Sequence, residues 1–102
     1  MTSDEYVEEV LSLVERIPPG RVMSYGAIAE YLYDISGRGS ARLVGTIMAR
    51  HGGAVPWHRV VNSAGRLPPG HEAKAAALLR AEGVELKGDR VKMDKAAWWP
   101  DH

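Results

Sequence analysis

The chain has 102 residues, of which 45% are hydrophobic and 25% are charged, as in a single globular domain with a modest core. It contains no cysteine, which excludes a disulfide framework, a thiolate zinc site and a cysteine nucleophile. Because its apolar runs are too short to span a membrane and its first residues are acidic, unlike a signal peptide, we expect a cytoplasmic protein without a membrane partner.

The charge is unevenly distributed, although the formal net charge is 0. The first fifteen residues hold five acidic and no basic side chains, whereas residues 16–66 hold seven arginines against two acids. Guanidinium groups suit phosphate oxygens and base edges, so a basic middle indicates a localised surface for a polyanion. Solvated surface arginines without a ligand are the alternative. The seven are Arg16, Arg21, Arg38, Arg42, Arg50, Arg59 and Arg66.

Helical periodicity predicts two helices in the first third of the chain. Ser3 is the expected N-cap of the first, in which apolar residues recur at helical spacing from Val7 to Ile17 before two prolines end it. Ser24 is the expected N-cap of the second, which gives way to a glycine-rich break at residues 34–39.

A third helix is predicted over residues 41–51, with Ser40 as its N-cap. Two short helices joined by a glycine-bearing turn resemble a helix-turn-helix. Arg42 lies in the first turn of this third helix, where the helix dipole disfavours a cation. It is therefore either aimed at a negative ligand or an ordinary solvated arginine. The stretch SGRGSAR also offers backbone amides to a phosphate, of nucleic acid rather than ATP, since it lacks a Gly-Lys-Ser/Thr ending.

The periodicity then changes to that of strands. VPWHRVV, residues 55–61, followed by NSAG, predicts a hairpin turning at Asn62 and Gly65. A further helix is predicted to end at Gly83, followed by a hairpin turning at residues 87–89 and a tail pinned by Trp98 and Trp99 with a frayed end. We therefore predict one mainly α domain over residues 1–102, winged-helix-like, with a helix-turn-helix and small β-hairpins.

No catalytic or metal-binding pattern stands out. The histidines His51, His58, His71 and His102 lack metal-ligand spacing, and no nucleophile-elbow pattern occurs, so we expect no metal and no cofactor.

Two aromatic residues each allow two interpretations. Tyr25 is either a half-buried core residue or a hydroxyl facing the same surface as Arg42. Trp57, between a proline and a histidine, is either core filling or part of a binding site.

Four segments, in order and at similar spacing over about residues 6–86, carry a family resemblance: IPPGRVMSYGAIAEYL, SARLVGTIM, VPWHRVVNSAGRL and LLRAEGVEL. Together they resemble the DNA-binding domain of the O6-alkylguanine-DNA alkyltransferases. In that family the active-site motif is Pro-Cys-His-Arg-Val, whose cysteine takes the alkyl group. Here the frame reads Pro56-Trp57-His58-Arg59-Val60, which is similar to the alkyltransferase-like proteins that bind alkylated guanine without repairing it themselves.

The resemblance implies a set of DNA contacts. Tyr25 matches the tyrosine that presses on the phosphate beside the target nucleotide and rotates it. Arg42 matches the arginine finger that enters through the minor groove and fills the vacated base stack. The other predicted DNA contacts are the small residues that allow close approach of the helix to the groove, and one arginine before it: Ser40, Ala41, Gly45 and Arg38.

The resemblance also implies a pocket for the flipped base. Its predicted wall is Val55, Pro56 and Trp57, braced by Asn62. The histidine and glutamate that activate the thiol in the enzymes match His58 and Glu82, which we expect to be kept here as structural hydrogen-bond partners. The loop LPPGHEA, which closes over the pocket, has no arginine. We therefore predict that the alkylated edge is contacted either by His71 of this loop or by Arg66, which precedes it.

The predicted function is that of a monomeric, non-enzymatic lesion sensor, nucleoid-associated if bacterial. Its predicted partner is double-stranded DNA containing O6-alkylguanine, and the resemblance implies hand-over to nucleotide excision repair proteins. An active alkyltransferase is the first alternative, and the missing cysteine argues against it. A winged-helix transcription regulator reading the major groove is the second, and the small side chains of Ser40 and Ala41 offer it few groups for reading base edges.

Overall fold

The computed structural model describes residues 4–100, within which five α-helices alternate with two short 3-10 helices and four two-residue strands. The predicted mainly α fold with small β elements around a helix-turn-helix is confirmed. Ser3 and His102 lie outside the described residues, as does the chain end predicted to fray. The elements are α1 (Asp4–Arg16), β1 (Met23–Ser24), α2 (Tyr25–Ser36), α3 (Ala41–His51), the 3-10 helices Gly52–Ala54 and Trp57–Arg59, β2 (Val60–Val61), α4 (Glu72–Ala81), β3 (Leu86–Lys87), β4 (Arg90–Val91) and α5 (Met93–Ala96).

Both predicted N-caps within the described residues are confirmed. The Ser24 hydroxyl accepts a hydrogen bond from the backbone N–H of Ala27 (3.0 Å), and the Ser40 hydroxyl accepts one from Leu43 (3.1 Å). Each satisfies a donor that the first helical turn leaves unpaired. The predicted break at residue 34 is too early, because α2 continues to Ser36 and ends at Gly37, which takes the left-handed conformation with φ 73°.

The predicted hairpin at residues 55–67 is wrong in its pairing. β2 pairs in parallel with β1, in the register Met23 with Val60, and the chain before it forms a turn and a 3-10 helix instead of a strand. Pro56 has no N–H to donate to a neighbouring strand. The Arg59 side chain is hydrogen-bonded to Glu82, 23 residues further along the chain.

The turn predicted after this strand does form. The side-chain oxygen of Asn62 accepts hydrogen bonds from the N–H groups of Ala64 (2.9 Å) and Arg66 (2.8 Å), and Gly65 has φ 85°. Beyond the turn, the backbone of Arg66 forms an isolated antiparallel β-bridge with that of Arg90 in the second hairpin, so residues 66–67 do not form a strand paired with β2. That second hairpin is confirmed, with β3 and β4 antiparallel around Gly88 and Asp89.

Two apolar cores meet at the β1–β2 pair. Because successive strand residues point to opposite sides, Met23 and Val60 enter the first core, while Val22 and Val61 enter the second. The first core is formed by α1, α2 and α3, and the second by α4, the β3–β4 hairpin and α5. The short parallel sheet is thus the join between the two halves of the domain.

The two tryptophans predicted to pin the C-terminal tail differ in how far they are packed against the protein. The unpredicted α5 precedes it, and the N–H of Trp98 donates to the Val22 carbonyl (2.8 Å) while its ring packs on the first core. Trp99 is 44% exposed and meets the edge of Tyr31, with ring centroids 5.6 Å apart. Trp98 therefore anchors the tail, and Trp99 remains largely on the surface. None of the helices in residues 4–100 is long and apolar enough to cross a membrane.

Candidate nucleic-acid interface

A cleft of about 680 Å³, called the main cleft here, opens between α3 and the segment that leads into α4. Such a volume is typical of sites that enclose a small organic ligand. Twelve residues line it, and none of them is acidic: Tyr25, Gly45, Met48, Ala49, Gly52, Gly53, Trp57, Val60, Pro68, Pro69, His71 and Lys74.

Trp57 lines the main cleft and also packs against the second core, so each of the two interpretations from the sequence describes one part of its side chain. The 3-10 helix that carries it begins after Pro56, and its N–H donates to the Val55 carbonyl (2.6 Å). The ring lies edge-on to His71, with centroids 5.6 Å apart. The indole is therefore half-buried, held on one side and open to the cleft on the other.

Tyr25 separates the main cleft from a smaller one. It is the first residue of α2, and it lines both the main cleft and a second cleft of about 210 Å³ that also contains Asn62 and Arg66. Burial raises the pKa of the Tyr25 hydroxyl above its ordinary value, so the phenol stays neutral at physiological pH. A neutral hydroxyl between two openings can donate a hydrogen bond to an anionic oxygen.

The start of α3 is exposed at Ser40, Ala41 and Arg42. Within residues 4–100, the Arg42 guanidinium has no ion pair or hydrogen bond, whereas Arg38 lies 3.6 Å from Glu5 in an exposed pair that is worth little. Gly45, one turn further, is where α3 borders the main cleft, and a Cβ added there would meet no atom within 4 Å. The helix therefore presents a free cation and an unobstructed backbone on one side.

Behind Trp57, the Glu82 carboxylate collects four hydrogen bonds. Arg59 donates to both of its oxygens (3.1 and 2.7 Å), the Gly20 N–H donates to Oε1 (3.1 Å), and His58 Nε2 lies 2.8 Å from Oε2. Arg59 also donates to the Ile17 carbonyl (3.0 Å). The hydrogen bonds from Arg59, with those from His58 and Gly20, lower the pKa of Glu82 from its ordinary 4.5 to about 2, although burial opposes this.

An ionised Glu82 only accepts hydrogen bonds, so His58 donates to it from Nε2. The side chains of Arg59 and Glu82 are 14% and 15% exposed, and they form a largely buried ion pair. The expected hydrogen bond between His58 and Glu82 is therefore present, together with two partners that the sequence did not reveal, Arg59 and Gly20.

The predicted site residues fall into three places. Tyr25, Gly45, Trp57 and His71 line the main cleft. Asn62 and Arg66 line the second cleft. Among the predicted residues that line neither cleft, Val55 is buried in the first core, Pro56 precedes the 3-10 helix, and His58 and Glu82 are hydrogen-bonded to each other. The others are exposed before and at the start of α3: Arg38, Ser40, Ala41 and Arg42.

The main cleft also contains residues that the sequence reasoning missed. Met48, Ala49 and Gly52 follow the predicted Gly45 at the spacing of one helical face, so helical periodicity could have indicated this stripe along α3. Lys74 comes from the opposite wall, near Pro68 and Pro69 of the loop expected to close over the pocket, and no local periodicity signals it. No group of three or more potential metal ligands occurs within residues 4–100.

Two of the seven central arginines are hydrogen-bonded within the protein. Arg59 binds Glu82, and Arg21 donates to the backbone carbonyls of Ala96 (3.1 Å) and Ala97 (2.5 Å) although its side chain is exposed. Fewer arginines are thus available to a ligand than the sequence count suggested. The exposed central arginines are Arg16, Arg21, Arg38, Arg42, Arg50 and Arg66.

A helix-turn-helix whose second helix begins exposed and basic beside a cleft has the architecture of a nucleic-acid-binding domain. The family model described as 6-O-methylguanine DNA methyltransferase, DNA binding domain, matches residues 5–84. A DNA base-flipping protein of Vibrio parahaemolyticus is 31% identical over 103 residues, covering 95% of this chain and 99% of that protein. Alkyltransferase-like protein 1 of Schizosaccharomyces pombe is 38% identical over 95 residues, covering 84% of this chain and 82% of that protein.

Solved structures of similar proteins have the same fold. The structure of S. pombe Atl1 in complex with damaged DNA containing O6-carboxymethylguanine matches with a TM-score of 0.76 at 32% identity, covering 98% of this chain and 100% of that one. The Mycobacterium tuberculosis O6-methylguanine methyltransferase matches with a TM-score of 0.63 at 32% identity, covering 80% of this chain and 50% of that one. This chain therefore belongs to the family of the 6-O-methylguanine DNA methyltransferase DNA-binding domain, as an alkyltransferase-like protein.

Glu82 gives the fold a defined acid sensitivity. Because its pKa is depressed in the folded protein to about 2, its stabilising contribution is present above the unfolded value of about 4.5 and is lost as the pH falls towards 2. We expect chemical denaturation to show a loss on the order of 2–3 kcal/mol from this group across that window. The Glu82→Gln variant is expected to lack this part of the pH dependence and to be less stable than wild type at pH 7.

Glu85→Gln is the matched control, since Glu85 is an exposed carboxylate paired with Lys92 and Lys95. This variant is expected to follow the wild-type curve closely. If the stability of Glu82→Gln declined between pH 4.5 and 2 as steeply as that of wild type, the depressed pKa would be wrong.

Proposed function

We propose that this protein recognises O6-alkylguanine in duplex DNA by rotating the base into the main cleft, without removing the alkyl group. The observation that carries the proposal is the position of Trp57. In the sequence frame where the alkyltransferases have their reactive cysteine, the chain places a half-buried indole on the cleft wall. An aromatic ring at that point provides a surface for a base but no nucleophile.

The names of the relatives support a role in DNA-lesion binding. Three of the similar proteins are called DNA base-flipping proteins, and the S. pombe structure holds damaged DNA containing O6-carboxymethylguanine. The fold of this protein matches that of the S. pombe chain over 98% of the present chain. The transfer of this role to the present chain is part of the proposal.

Base rotation must offset the loss of stacking and pairing, which costs a few kcal/mol and less at a damaged base pair. Stacking of the extruded base on Trp57 returns about 1–3 kcal/mol. Arg42, unpaired at the exposed start of α3, fills the space that the base leaves, while the small residues beside it allow the helix into the minor groove. Tyr25, between the two clefts, presses on the phosphate next to the extruded nucleotide.

The absence of alkyl transfer follows from the missing cysteine and from the partners of His58 and Glu82. In the alkyltransferases that this chain resembles, the alkyl group is transferred to a cysteine thiolate, and this chain has no cysteine. The histidine and glutamate that would activate a thiol are bound to each other, and the same glutamate also holds Arg59. We therefore assign His58 and Glu82 to the support of Trp57, and we assign hand-over of the bound lesion to nucleotide excision repair proteins.

Lesion preference is tested by titrating fluorescently labelled duplexes that differ only in one guanine or O6-methylguanine. Wild type is expected to bind the lesion duplex more tightly. Trp57→Ala is expected to lose about 1–3 kcal/mol of binding to the lesion duplex, because the extruded base loses its stacking surface, and Arg42→Ala to weaken binding to both duplexes. Trp99→Ala removes an exposed tryptophan outside the cleft and serves as control. Equal wild-type affinity for the two duplexes would falsify the proposal.

Close approach of α3 to DNA is tested separately by Gly45→Ala. The added methyl meets no atom within 4 Å and sits in a helix, so the free energy of unfolding is expected to rise by up to about 1 kcal/mol. Affinity for both duplexes is nevertheless expected to fall, since the methyl lies where the groove and the extruded base must come near. A variant that is more stable and binds DNA as well as wild type would show that α3 does not approach the duplex at Gly45.

The fate of the lesion is tested with a duplex whose O6-methyl group is isotopically labelled. After incubation with the protein the label is expected to remain on the DNA, because no thiolate is present to accept it. A purified nucleotide excision nuclease is then expected to incise this duplex faster in the presence of the protein. Label recovered on the protein would overturn the non-enzymatic assignment, and an unchanged incision rate would overturn the assigned hand-over.

A further inference from the structure

The main cleft is electrostatically one-sided. Its ionisable side chains are Tyr25, His71 and Lys74, and no carboxylate from residues 4–100 lines it. Glu72, close in sequence to Lys74, belongs to the second cleft instead. Because burial raises the pKa of the Tyr25 phenol, this group adds no negative charge to the wall, and Lys74 supplies an aliphatic amine. The lining of the main cleft thus contains basic side chains and, within residues 4–100, no acidic one.

Lys74 has no counter-ion within the described part of the chain. It is exposed and forms no ion pair or hydrogen bond with residues 4–100, whereas Lys92 and Lys95 both lie on the Glu85 carboxylate, at 2.6 and 3.2 Å. It is also the third residue of α4, where the helix dipole disfavours a cation. A negative group placed in the cleft would therefore form a favourable electrostatic interaction with Lys74 without displacing an existing partner.

Lys74 lines the cleft from a position close to the proposed stacking surface. His71 and Lys74 are three residues apart at the start of α4, and the His71 ring packs edge-on against Trp57. A base stacked on Trp57 would therefore lie beside the segment that carries Lys74. Across the cleft, Met48 is the one large side chain among the small residues Gly45, Ala49 and Gly53, which leaves room for a substituent longer than methyl.

We propose that Lys74 makes the main cleft selective for O6-alkylguanines whose substituent ends in a carboxylate. This inference rests on the proposed function and names the class of lesion for the same site. A carboxylate at the end of a short O6 chain pairs with the ammonium in a cleft partly shielded from water, where such a pair is stronger than on an open surface. A neutral substituent gains only apolar contact, and a cationic one is repelled.

The test compares duplexes that carry O6-methylguanine, O6-carboxymethylguanine or the uncharged carboxamide analogue of the latter. Wild type is expected to bind the carboxymethyl duplex about three- to tenfold more tightly than the carboxamide duplex, the range for a partly shielded ion pair. Lys74→Gln is expected to bring this ratio close to one. The ratio is used because any contact of Lys74 with the DNA backbone cancels between two duplexes of the same sequence.

Arg80→Gln is the matched control. It removes one positive charge from the same helix, but Arg80 does not line either cleft, so the carboxymethyl-to-carboxamide ratio is expected to stay at the wild-type value. Lys74→Arg is expected to keep a preference for the carboxylate. High salt is expected to reduce the wild-type ratio.

The outcomes separate this inference from the proposed function. If wild type prefers O6-methylguanine to guanine but its carboxymethyl-to-carboxamide ratio is unchanged in Lys74→Gln, the role of Lys74 is overturned while the lesion sensor stands. An equal loss of affinity by Lys74→Gln on all three duplexes assigns Lys74 to a DNA phosphate and overturns the inference as well. If wild type does not distinguish O6-methylguanine from guanine, the proposed function itself fails.

Discussion

The bonds made by the Glu82 carboxylate hold the rest of the site in place. They join three segments that are far apart in sequence: the turn at Gly20, the 3-10 helix that contains His58 and Arg59, and the end of α4. Because the ion pair with Arg59 is largely buried, each partner is stabilised only while the other is present. The 3-10 helix has little regular hydrogen bonding of its own, so this carboxylate fixes the position of Trp57.

The β1–β2 pair sets the relative position of the two aromatic residues of the site. Tyr25 follows β1 directly, whereas Trp57 begins the 3-10 helix that precedes β2. Because the strands are parallel, with Met23 opposite Val60, the two residues lie towards opposite ends of the pair. The main cleft, which both side chains line, therefore lies at the join between the two cores. The cores supply the rigidity, and the join between them supplies the opening, as is common for ligand sites between structural units.

Local signals made the helical part of this fold predictable, while contacts between distant residues did not show in the sequence. Ser24 and Ser40 act on donors three residues away, so their capping roles were visible in the pattern. The pairing of Val60 with Met23 and the bond from Arg59 to Glu82 are long-range, and without them residues 55–61 look like one strand of a hairpin. The resemblance indicated Tyr25 and Trp57, but not Lys74, whose place on the cleft wall depends on how α4 packs.

A cleft that senses a lesion has a different energetic requirement from one that removes it. An enzyme gains rate only from interactions that strengthen in the transition state, whereas a sensor gains occupancy from interactions present in the bound ground state. An indole suits the second requirement, since it offers a large, rigid surface with few rotatable bonds. In the proposed function the buried network of His58, Arg59 and Glu82 keeps that surface in position, so the binding energy goes into holding the rotated base.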